Sequence, residues 1–341
     1  FSDTEFNRIV IHLSKGNSFA KAKTPTNKFI ALIDEDDNPY IMLVANEKWC
    51  QNLFQITNQI TINGKRENRY DVTILINGLP LVQIELKRRG IELKKAFNQI
   101  QRYQRDSFAS NHALFQYVQI FVVSNGVNTK YYANSPKQSF KPTFFWSDEK
   151  NNNITQLTDF ASLFLEPCHI AKMITKYIVL HESDKILMVL RPYQFYAVEA
   201  IIDRVKNSNK NGYIWHTTGS GKTLTSFKAS QILTHNPKIK KVVFVVDRQD
   251  LDDQTVREFR AFQKESIDGT DNTKMLVKQF LNDSRPLIIT TIQKLNAAIS
   301  KQKFKAQINA IKDENIIFIF DECHRSQFGD THQRIISYFT N

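Results

Sequence analysis

The chain has 341 residues, of which 41% are hydrophobic and 11% are aromatic. This composition excludes a disordered chain. The length is too great for a single hydrophobic core, so two folded domains are expected. The net charge of +12 favours a polyanionic partner, with nucleic acid as the first candidate. The alternative explanation of the charge is that the whole proteome is basic and rich in Lys and Asn.

Three cysteines, Cys50, Cys168 and Cys323, are odd in number and widely spaced. The spacing implies neither a disulfide framework nor a zinc site, and it fits a reducing, cytoplasmic setting. No apolar run is long enough to span a bilayer, so no membrane role is expected.

The first part of the chain, to about residue 165, mixes helix and strand patterns. In chain order, these patterns predict a helix over 3–13, a strand over 41–44, hairpin strands over 71–76 and 81–86, a helix over 93–103 and a strand over 117–124. Residues 134–153 are rich in Pro, Ser, Lys and Asn, which predicts loops. Helices over 158–165 and 169–178 are expected to connect the two domains.

From Ile186 onwards the pattern changes to alternating strands and helices. It predicts strands over 213–216, 241–247, 287–291 and 316–321, with helices over 222–233, 249–262 and 292–299. The strands are continuous Val, Ile and Phe runs, as expected for parallel strands buried on both faces. The predicted domains are therefore 1–165 and 186–341, joined by connecting helices over 166–185, and the fold class is α/β.

The hairpin pattern constrains its own register. The apolar side chains that must face one core all have even numbers: Val72, Ile74, Ile76, Val82, Ile84 and Leu86. They meet if Val72 lies opposite Ile84, but a two-residue turn at Asn77-Gly78 would pair Ile76 with Leu79 instead. We therefore predict an odd-length loop or a bulge. The same register places a polar set on the opposite face: Asp71, Gln83, Glu85 and Lys87.

This polar set has the chemistry of a metal-dependent hydrolase. Asp71 and Glu85 can hold an oxygen-seeking cation such as Mg²⁺, and Lys87 can orient or deprotonate a water molecule or offset developing charge. Gln99 and Tyr103 follow four residues apart, hence on one face of the next helix. The alternative is an ordinary solvated strand face, on which Glu and Lys are common.

A phosphate-binding loop is predicted at Gly219-Ser220-Gly221-Lys222-Thr223, which follows an apolar strand and opens a helix. Its small residues, with Thr218 before them, allow backbone N–H groups to surround phosphates. Lys222 is expected to reach the β- and γ-phosphates of ATP, and Thr223 to bind Mg²⁺. His216 stands where the strict pattern has Gly.

An acidic pair ends the strand over 316–321. In an ATP site, Asp321 would hold Mg²⁺ and Glu322 would activate the attacking water. Loop solvation is the alternative for such a pair, but its position after the phosphate-binding loop favours ATP hydrolysis.

Together these motifs resemble a known family. Five segments resemble superfamily-two helicase motor motifs: Leu190-Arg-Pro-Tyr-Gln194, His216 to Thr223, Val245-Val-Asp-Arg-Gln-Asp-Leu251, Thr290-Thr-Ile-Gln-Lys294 and Asp321-Glu-Cys-His-Arg-Ser-Gln327. Asp71, Glu85 and Lys87 match the PD-(D/E)xK nuclease pattern, with Tyr70 in place of Pro, and Gln99 and Tyr103 match its Gln-x-x-x-Tyr variant. In this order the motifs resemble the R (motor and nuclease) subunit of type I restriction endonucleases.

The resemblance implies a PD-(D/E)xK nuclease domain followed by one RecA-like lobe. It implies a type I site-specific deoxyribonuclease that uses ATP and Mg²⁺, translocates on double-stranded DNA and cuts it, in a complex with methyltransferase (M) and specificity (S) subunits. By motif, Gln194 would read the adenine and Arg191 would support that pocket. Three residues would touch the DNA backbone, unless they are solvated loop residues: Arg248, Thr291 and Lys294.

The later motor motifs are not found before Asn341. We therefore expect a fragment that by itself binds ATP poorly and does not translocate. Two other functions remain open: a superfamily-two helicase or translocase whose N-terminal domain binds DNA without cutting, and a scaffold that docks on a methyltransferase complex. Loss of cleavage on Glu85→Ala would argue against the first, and an intact ATP site argues against the second.

Overall fold

The computed structural model describes residues 2–25, 27, 29–30, 40–63, 67–106, 108, 111–136, 139–217, 219–247, 249–262, 267–270, 272–284, 286–321 and 330–339. The chain forms two compact units. The first consists of Phe1–Leu180 and Lys185–Tyr193, and the second of His181–Asp184 and Gln194–Asn341.

The first unit ends later than the predicted boundary at residue 165, and it includes most of the predicted connecting segment. Tertiary hydrogen bonds explain the difference. The hydroxyl of Tyr131 donates to the carbonyl of Leu190 at 2.8 Å, and that of Ser135 donates to the carbonyl of Leu187 at 2.5 Å. Leu187 and Leu190, which the sequence pattern assigned to the start of the second domain, are thereby hydrogen-bonded to the first unit.

The α-helices of the described residues are α1 Asp3–Ser14, α2 Ser18–Lys21, α3 Leu93–Asp106, α4 Leu157–Leu163, α5 Pro167–Lys172, α6 Pro192–Asn207, α7 Lys222–Thr234, α8 Gln249–Phe262, α9 Thr273–Leu281, α10 Ile292–Ser300, α11 Gln302–Asn309 and α12 Asp330–Tyr338. Short 3₁₀ turns lie at Trp49–Gln51 and Asn111–Tyr117, and a π turn at Met173–Tyr177. Within this part of the chain, no helix is long and apolar enough to cross a membrane.

The strands are β1 Phe29–Ile30, β2 Tyr40–Ile41, β3 Phe54–Asn63, β4 Glu67–Ile76, β5 Leu79–Leu86, β6 Ile120–Ser124, β7 Thr129–Ala133, β8 Trp146–Ser147, β9 Asn153–Ile154, β10 Ile178–His181, β11 Ile186–Val189, β12 Lys241–Val246, β13 Ile267–Gly269, β14 Leu287–Thr291 and β15 Ile316–Phe320. The strand predicted over 41–44 is thus confined to β2. The one predicted over 117–124 begins at Ile120, because the residues before it form a 3₁₀ turn.

A five-stranded mixed sheet forms the centre of the first unit, in the order β3-β4-β5-β6-β7. Strands β5 and β6 are parallel, and the other neighbours are antiparallel. Helix α3 buries Leu93, Ala96, Phe97 and Ile100, the spacing of one helical face, in a core with Tyr70, Phe121 and Tyr132. This packing holds one face of α3 against the sheet.

The register predicted for the β4–β5 hairpin is confirmed. Val72 lies opposite Ile84, although the turn at Asn77-Gly78 pairs Ile76 with Leu79. A register shift between Ile74 and Leu75 reconciles the two pairings, so the bulge is the one of the two predicted alternatives that the structure has. Asn77 and Gly78 both have positive φ angles, as a two-residue hairpin turn requires.

A four-stranded parallel sheet forms the second unit, in the order β13-β14-β12-β15. All six residues of β12 are buried, as its continuous apolar run predicts. Helices α9, α10 and α11 contribute Phe280, Leu295 and Ile308 to the core on this sheet. The prediction of a parallel-sheet α/β unit is confirmed.

The strand predicted over 213–216 is wrong. That segment has no regular secondary structure, and Tyr213 and Trp215 are 78% and 88% exposed. The continuous apolar run Tyr213-Ile214-Trp215 made it resemble a strand, but a strand forms only when its backbone groups pair with a neighbour. No such pairing involves this segment within the residues that the structure describes.

The expectation of no disulfide is also wrong. Cys50 and Cys168 are joined by a disulfide, with Cα atoms 4.6 Å apart and a sequence separation of 118. The 3₁₀ turn at Trp49–Gln51 brings Cys50 to α5, and the indole of Trp49 donates to the hydroxyl of Thr175 at 3.0 Å. Sequence spacing contains no sign of this approach, because the pairing depends on tertiary packing.

Replacing Cys50 with Ser is expected to lower the free energy of unfolding by about 2–4 kcal/mol, because the disulfide closes a long loop in the unfolded chain. Urea unfolding with and without dithiothreitol tests this. The reductant should shift the wild-type midpoint to that of the variant and leave the variant unchanged. A wild-type midpoint insensitive to the reductant would contradict the prediction.

Candidate functional sites

The sheet of the first unit opens between β4 and β5 at the predicted metal site. The paired residues of the hairpin run from Ile76 opposite Leu79 to Val72 opposite Ile84, while β4 continues back to Glu67. In this opening, the Asp71 carboxylate accepts a hydrogen bond from the backbone N–H of Leu86 at 2.8 Å. This hydrogen bond lies beyond the last paired residues of β4 and β5, and it holds the Asp71 side chain beside Glu85.

Glu85 is fully buried, with 0% exposure. Its Oε1 accepts a hydrogen bond from Nζ of Lys87 at 2.7 Å, whereas its Oε2 is buried without a hydrogen-bond partner in the described part of the chain. Burial, with a smaller contribution from the nearby Asp71 carboxyl, raises the pKa of Glu85 to about 7, against the opposing effect of Lys87. This carboxylate is therefore short of positive charge.

A relay of hydrogen bonds from α3 positions the Lys87 amine. Nζ of Lys87 also donates to Oε1 of Gln99 at 2.8 Å, and Nε2 of Gln99 contacts the hydroxyl of Tyr103. That hydroxyl donates to the carbonyl of Arg69 at 2.8 Å, and burial raises the pKa of Tyr103 so that it stays protonated. The Gln-x-x-x-Tyr spacing thus links α3 to Lys87 and to β4.

The donor set fits a hard divalent cation. Two carboxylates lie together, and the buried Oε2 of Glu85 lacks, among the described residues, the partner that a buried anionic oxygen requires. Within the described ranges, no group of three or more His, Cys, Asp or Glu side chains could hold a metal. Asp71 and Glu85 therefore suit a cation such as Mg²⁺, which commonly keeps several waters and uses one or two carboxylates.

The sequence reasoning missed Tyr132. Its hydroxyl is buried without a hydrogen-bond partner among the described residues, and its ring packs on Phe97 and Phe121. Burial raises the pKa of Tyr132, and the charge of Glu85 adds to this, which places the hydroxyl in the electrostatic surroundings of the site. No local motif marks Tyr132, since its position depends on the pairing of β5, β6 and β7.

Glu85 is expected to make the metal-free protein less stable as pH rises. Its folded pKa of about 7 exceeds the ordinary value of 4.5, so between these values the folded state keeps a proton that the unfolded state has released. Stability should fall by up to ~3 kcal/mol as pH rises from 4.5 to above 7. Urea unfolding in EDTA at both ends of this range would measure it. Glu85→Gln should abolish this part of the pH dependence, and an unchanged dependence would refute it.

Where it is described, the predicted phosphate-binding loop has backbone angles that are compatible with such a loop. Gly219 and Gly221 have φ angles of +74° and +79°, which favour glycine, and α7 starts at Lys222. Gly221 is the N-cap residue, and no side chain of the described residues caps this helix start. The first N–H groups of α7 are thus suited to phosphate oxygens.

The side chains around this loop come from two motifs. Nε2 of Gln194 donates to the carbonyls of Ser220 and Gly221 at 3.1 and 3.4 Å. Nδ1 of His216 lies 2.9 Å from the Ser220 hydroxyl, which itself donates to the carbonyl of Thr217 at 2.7 Å. Burial lowers the pKa of His216, and the charge of Lys222 adds to this. His216 thus supports the loop where the strict pattern has Gly.

The remaining predicted ATP-site residues are only partly described. The backbone N–H of Asp321 donates to the carbonyl of Val245 at 2.9 Å, at the end of β15 beside β12. Arg191 lies over the Phe144 ring at 5.0 Å and donates to the Tyr193 hydroxyl at 3.1 Å, within the first unit. Two predicted residues lie outside the described residues: Thr218 and Glu322.

Two of the three predicted DNA-contacting residues have structural contacts. Thr291 is 2% exposed and caps α10, accepting a hydrogen bond from the N–H of Lys294 at 3.2 Å. The Lys294 amine donates to the carbonyl of Thr270. The third, Arg248, lies outside the described residues. Contact of these residues with DNA stays a prediction, and the buried Thr291 hydroxyl is poorly placed for it.

Comparison with known proteins gives two family matches. Residues 1–140 match the family described as "Type I restriction enzyme R protein N terminus", and residues 193–341 match "SWI2/SNF2 ATPase". The first match contains the candidate carboxylate site, and the second contains the predicted phosphate-binding loop and β15, which Asp321 follows.

Curated relatives match along the whole chain. The type I restriction enzyme SsaAORF53P endonuclease subunit of Staphylococcus saprophyticus is 50% identical over 341 residues, which are 100% of this chain and 36% of that protein. The SauCOLORF180P endonuclease subunit of Staphylococcus aureus (strain COL) is 48% identical, with the same coverage of both chains. This chain therefore spans about a third of the length of these relatives.

A third relative, from Mycoplasma pneumoniae, is covered almost completely. It is described as the C-terminal part of a putative type I restriction enzyme endonuclease subunit, MpnIIP. It is 45% identical over 206 residues, which are 57% of this chain and 99% of that protein. With this coverage and the N-terminal family match, the chain belongs to the endonuclease subunits of type I restriction enzymes.

Proposed function

We propose that the first unit is a Mg²⁺-dependent endonuclease domain that cuts double-stranded DNA, as part of a type I restriction enzyme. The observation that carries the proposal is the arrangement of Asp71, Glu85 and Lys87 in the opened hairpin, with a buried carboxylate oxygen that has no partner in the described structure. Membership of the endonuclease-subunit family supports it.

Asp71 and Glu85 would hold the cation. When bound, Mg²⁺ polarises a phosphate and lowers the pKa of a coordinated water. Hydrogen bonds to Glu85 and to Gln99, which in turn contacts Tyr103, hold the Lys87 ammonium group in the site. From this position it can orient the attacking water and offset the charge that develops on the phosphate. Burial of Glu85 strengthens these interactions, because little water screens them.

The second unit would bind and hydrolyse ATP to drive translocation on DNA. The first N–H groups of α7, after Gly221, would donate hydrogen bonds to the phosphates, and Lys222 would reach the β- and γ-phosphates. Thr223 and Asp321 would hold a second Mg²⁺. Gln194, which already contacts this loop, would read the adenine edge. The match to an ATPase family over residues 193–341 supports this.

The partners follow from the family. Relatives are named endonuclease subunits, so we propose that this chain works in a complex with M and S subunits, of which S selects the DNA site. The excess of 46 Lys and Arg over 34 Asp and Glu residues supports binding to DNA.

Plasmid nicking by the full-length protein in its reconstituted complex tests the proposal. Wild type, Asp71→Ala and Lys222→Ala would be compared with and without Mg²⁺ and ATP, and ATP hydrolysis would be measured in parallel. Both substitutions should abolish cutting, but only Lys222→Ala should abolish ATP hydrolysis. If Asp71→Ala still cuts, the hairpin is structural, and the alternative of a translocase with a DNA-binding first unit takes its place.

A further inference from the structure

An open groove of about 700 Å³ lies in the first unit, beside the start of α3. Its walls are mixed. Phe140, Phe145 and Val127 contribute apolar surface, while Lys130, Lys94 and Glu92 contribute charge. We call it the Lys130 groove, because Lys130 is the least exposed of its charged side chains.

The Lys130 groove is adjacent to the carboxylate site. Lys130 lies opposite Val123 on β6, and Val123 lies opposite Glu85 on β5, so Lys130 and Glu85 project from the same face two strands apart. Two strand spacings amount to about 10 Å. The end of β6 is hydrogen-bonded to both sites. At the carboxylate site, the carbonyl of Ser124 accepts from the N–H of Lys87 at 2.8 Å, and in the groove the side-chain amide of Asn125 donates to the carbonyl of Ile91 at 2.9 Å.

Lys130 carries a charge that the described residues do not balance. It is half-buried, and its Nζ lies 5.3 and 4.7 Å from the ring centroids of Phe140 and Phe145. In the described part of the chain it has no salt bridge with a carboxylate, and burial lowers its pKa. Two rings hold the ammonium in place but supply only part of the counter-charge that a desolvated cation requires. An anionic ligand would supply the rest.

We propose that the Lys130 groove binds the sugar–phosphate backbone of a DNA strand next to the phosphate that is cut. Lys130 would bind one phosphate, and the apolar wall at Val127 and Phe145 would receive the adjoining sugar. This inference rests on the proposed nuclease function and adds a backbone subsite to it. The contact would not depend on base sequence, since phosphate and sugar are the same at every nucleotide.

The salt dependence of DNA binding tests the proposal. The affinity of the 341-residue chain for a short duplex of unrelated sequence would be measured in EDTA, so that no cutting occurs, between roughly 50 and 200 mM salt. Each lost phosphate contact lowers the slope of log affinity against log salt by about 0.9. Lys130→Gln should show this loss and bind several-fold more weakly at the lower salt.

Three further variants distinguish loss of the Lys130–phosphate contact from a general loss of positive charge and from misfolding. Lys130→Arg should retain the wild-type slope. Lys150→Gln, which removes an exposed lysine of the same unit outside the groove, should also retain it. Glu92→Gln should tighten binding, because it removes a carboxylate from the groove. Circular dichroism would confirm that each variant folds.

A wild-type slope in folded Lys130→Gln would overturn the proposal, as would an equal loss in Lys150→Gln. In the cutting assay, Lys130→Gln in the full-length protein should reduce the rate at limiting DNA far more than at saturating DNA, which a merely structural lysine would not do. Failure of the nuclease proposal would appear separately, as continued cutting by Asp71→Ala with the Lys130 slope intact.

Discussion

Replacing Asp71 with Asn is expected to reduce DNA cutting by about a hundredfold or more, without unfolding the hairpin. The amide oxygen of Asn can still accept the hydrogen bond from the N–H of Leu86, now 2.8 Å from the carboxylate, so the local geometry should persist. What is lost is one negative charge of the pair that would hold Mg²⁺, and with it most of the affinity for the ion. Nicking of plasmid DNA across a range of Mg²⁺ concentrations would measure the loss.

The matched control is Thr73→Val, on the same strand and the same face as Asp71. Thr73 donates to Oε1 of Gln83 at 2.7 Å, so its loss alters a buried polar contact without touching the carboxylates. It should lower stability by about 1 kcal/mol and leave the Mg²⁺ dependence of cutting unchanged. Equal cutting by Asp71→Asn and wild type at all Mg²⁺ concentrations would remove Asp71 from the site.

Replacing Gly221 with Ala is expected to reduce ATP hydrolysis by about a hundredfold. Gly221 has a φ of +79°, and an added Cβ would lie 2.5 Å from Nε2 of Gln194. Gln194 would have to leave the carbonyls of Ser220 and Gly221, and the backbone that opens α7 would be strained. The N–H groups that would donate hydrogen bonds to the phosphates would then be displaced. The measurement is ATP hydrolysis by the full-length protein in its complex.

Gly219→Ala provides the comparison. Its φ of +74° is equally unfavourable for Ala, but an added Cβ there meets no described atom within 4 Å. Only the strain of the left-handed conformation remains, about 1–2 kcal/mol, so the loss should be roughly 5–30-fold. A larger loss in Gly219→Ala than in Gly221→Ala would show that contact with Gln194 is not what constrains the loop.

The hairpin shows how much local sequence can determine. Strict alternation of apolar residues placed Val72 opposite Ile84 and required an odd-length loop or a bulge, of which the structure has the bulge, between Ile74 and Leu75. The same alternation assigned Asp71, Glu85 and Lys87 to one face. The register prediction succeeded because side-chain direction along a strand has a period of two, and a one-residue slip would expose the whole apolar set.

The strand predicted over 213–216 and the Cys50–Cys168 pair show where local sequence does not suffice. Tyr213-Ile214-Trp215 is an apolar run like that of a buried strand, yet Tyr213 and Trp215 are exposed, because a strand also needs a neighbour for its backbone. Cys50 and Cys168 are joined across 118 residues, and their approach depends on how a 3₁₀ turn meets α5.

By itself, the sequence determined the class of each unit and the register of the hairpin, because both depend on short spacings along the strands and helices. The same spacings predicted a phosphate-binding loop and the candidate carboxylates, which stay predictions. Only the tertiary structure decided which groups meet across elements: the relay from Tyr103 through Gln99 to Lys87, the buried Oε2 of Glu85 and the ring cage around Lys130. These depend on how β5, β6, β7 and α3 pack. Packing is set by the fit of many distant side chains rather than by any local period.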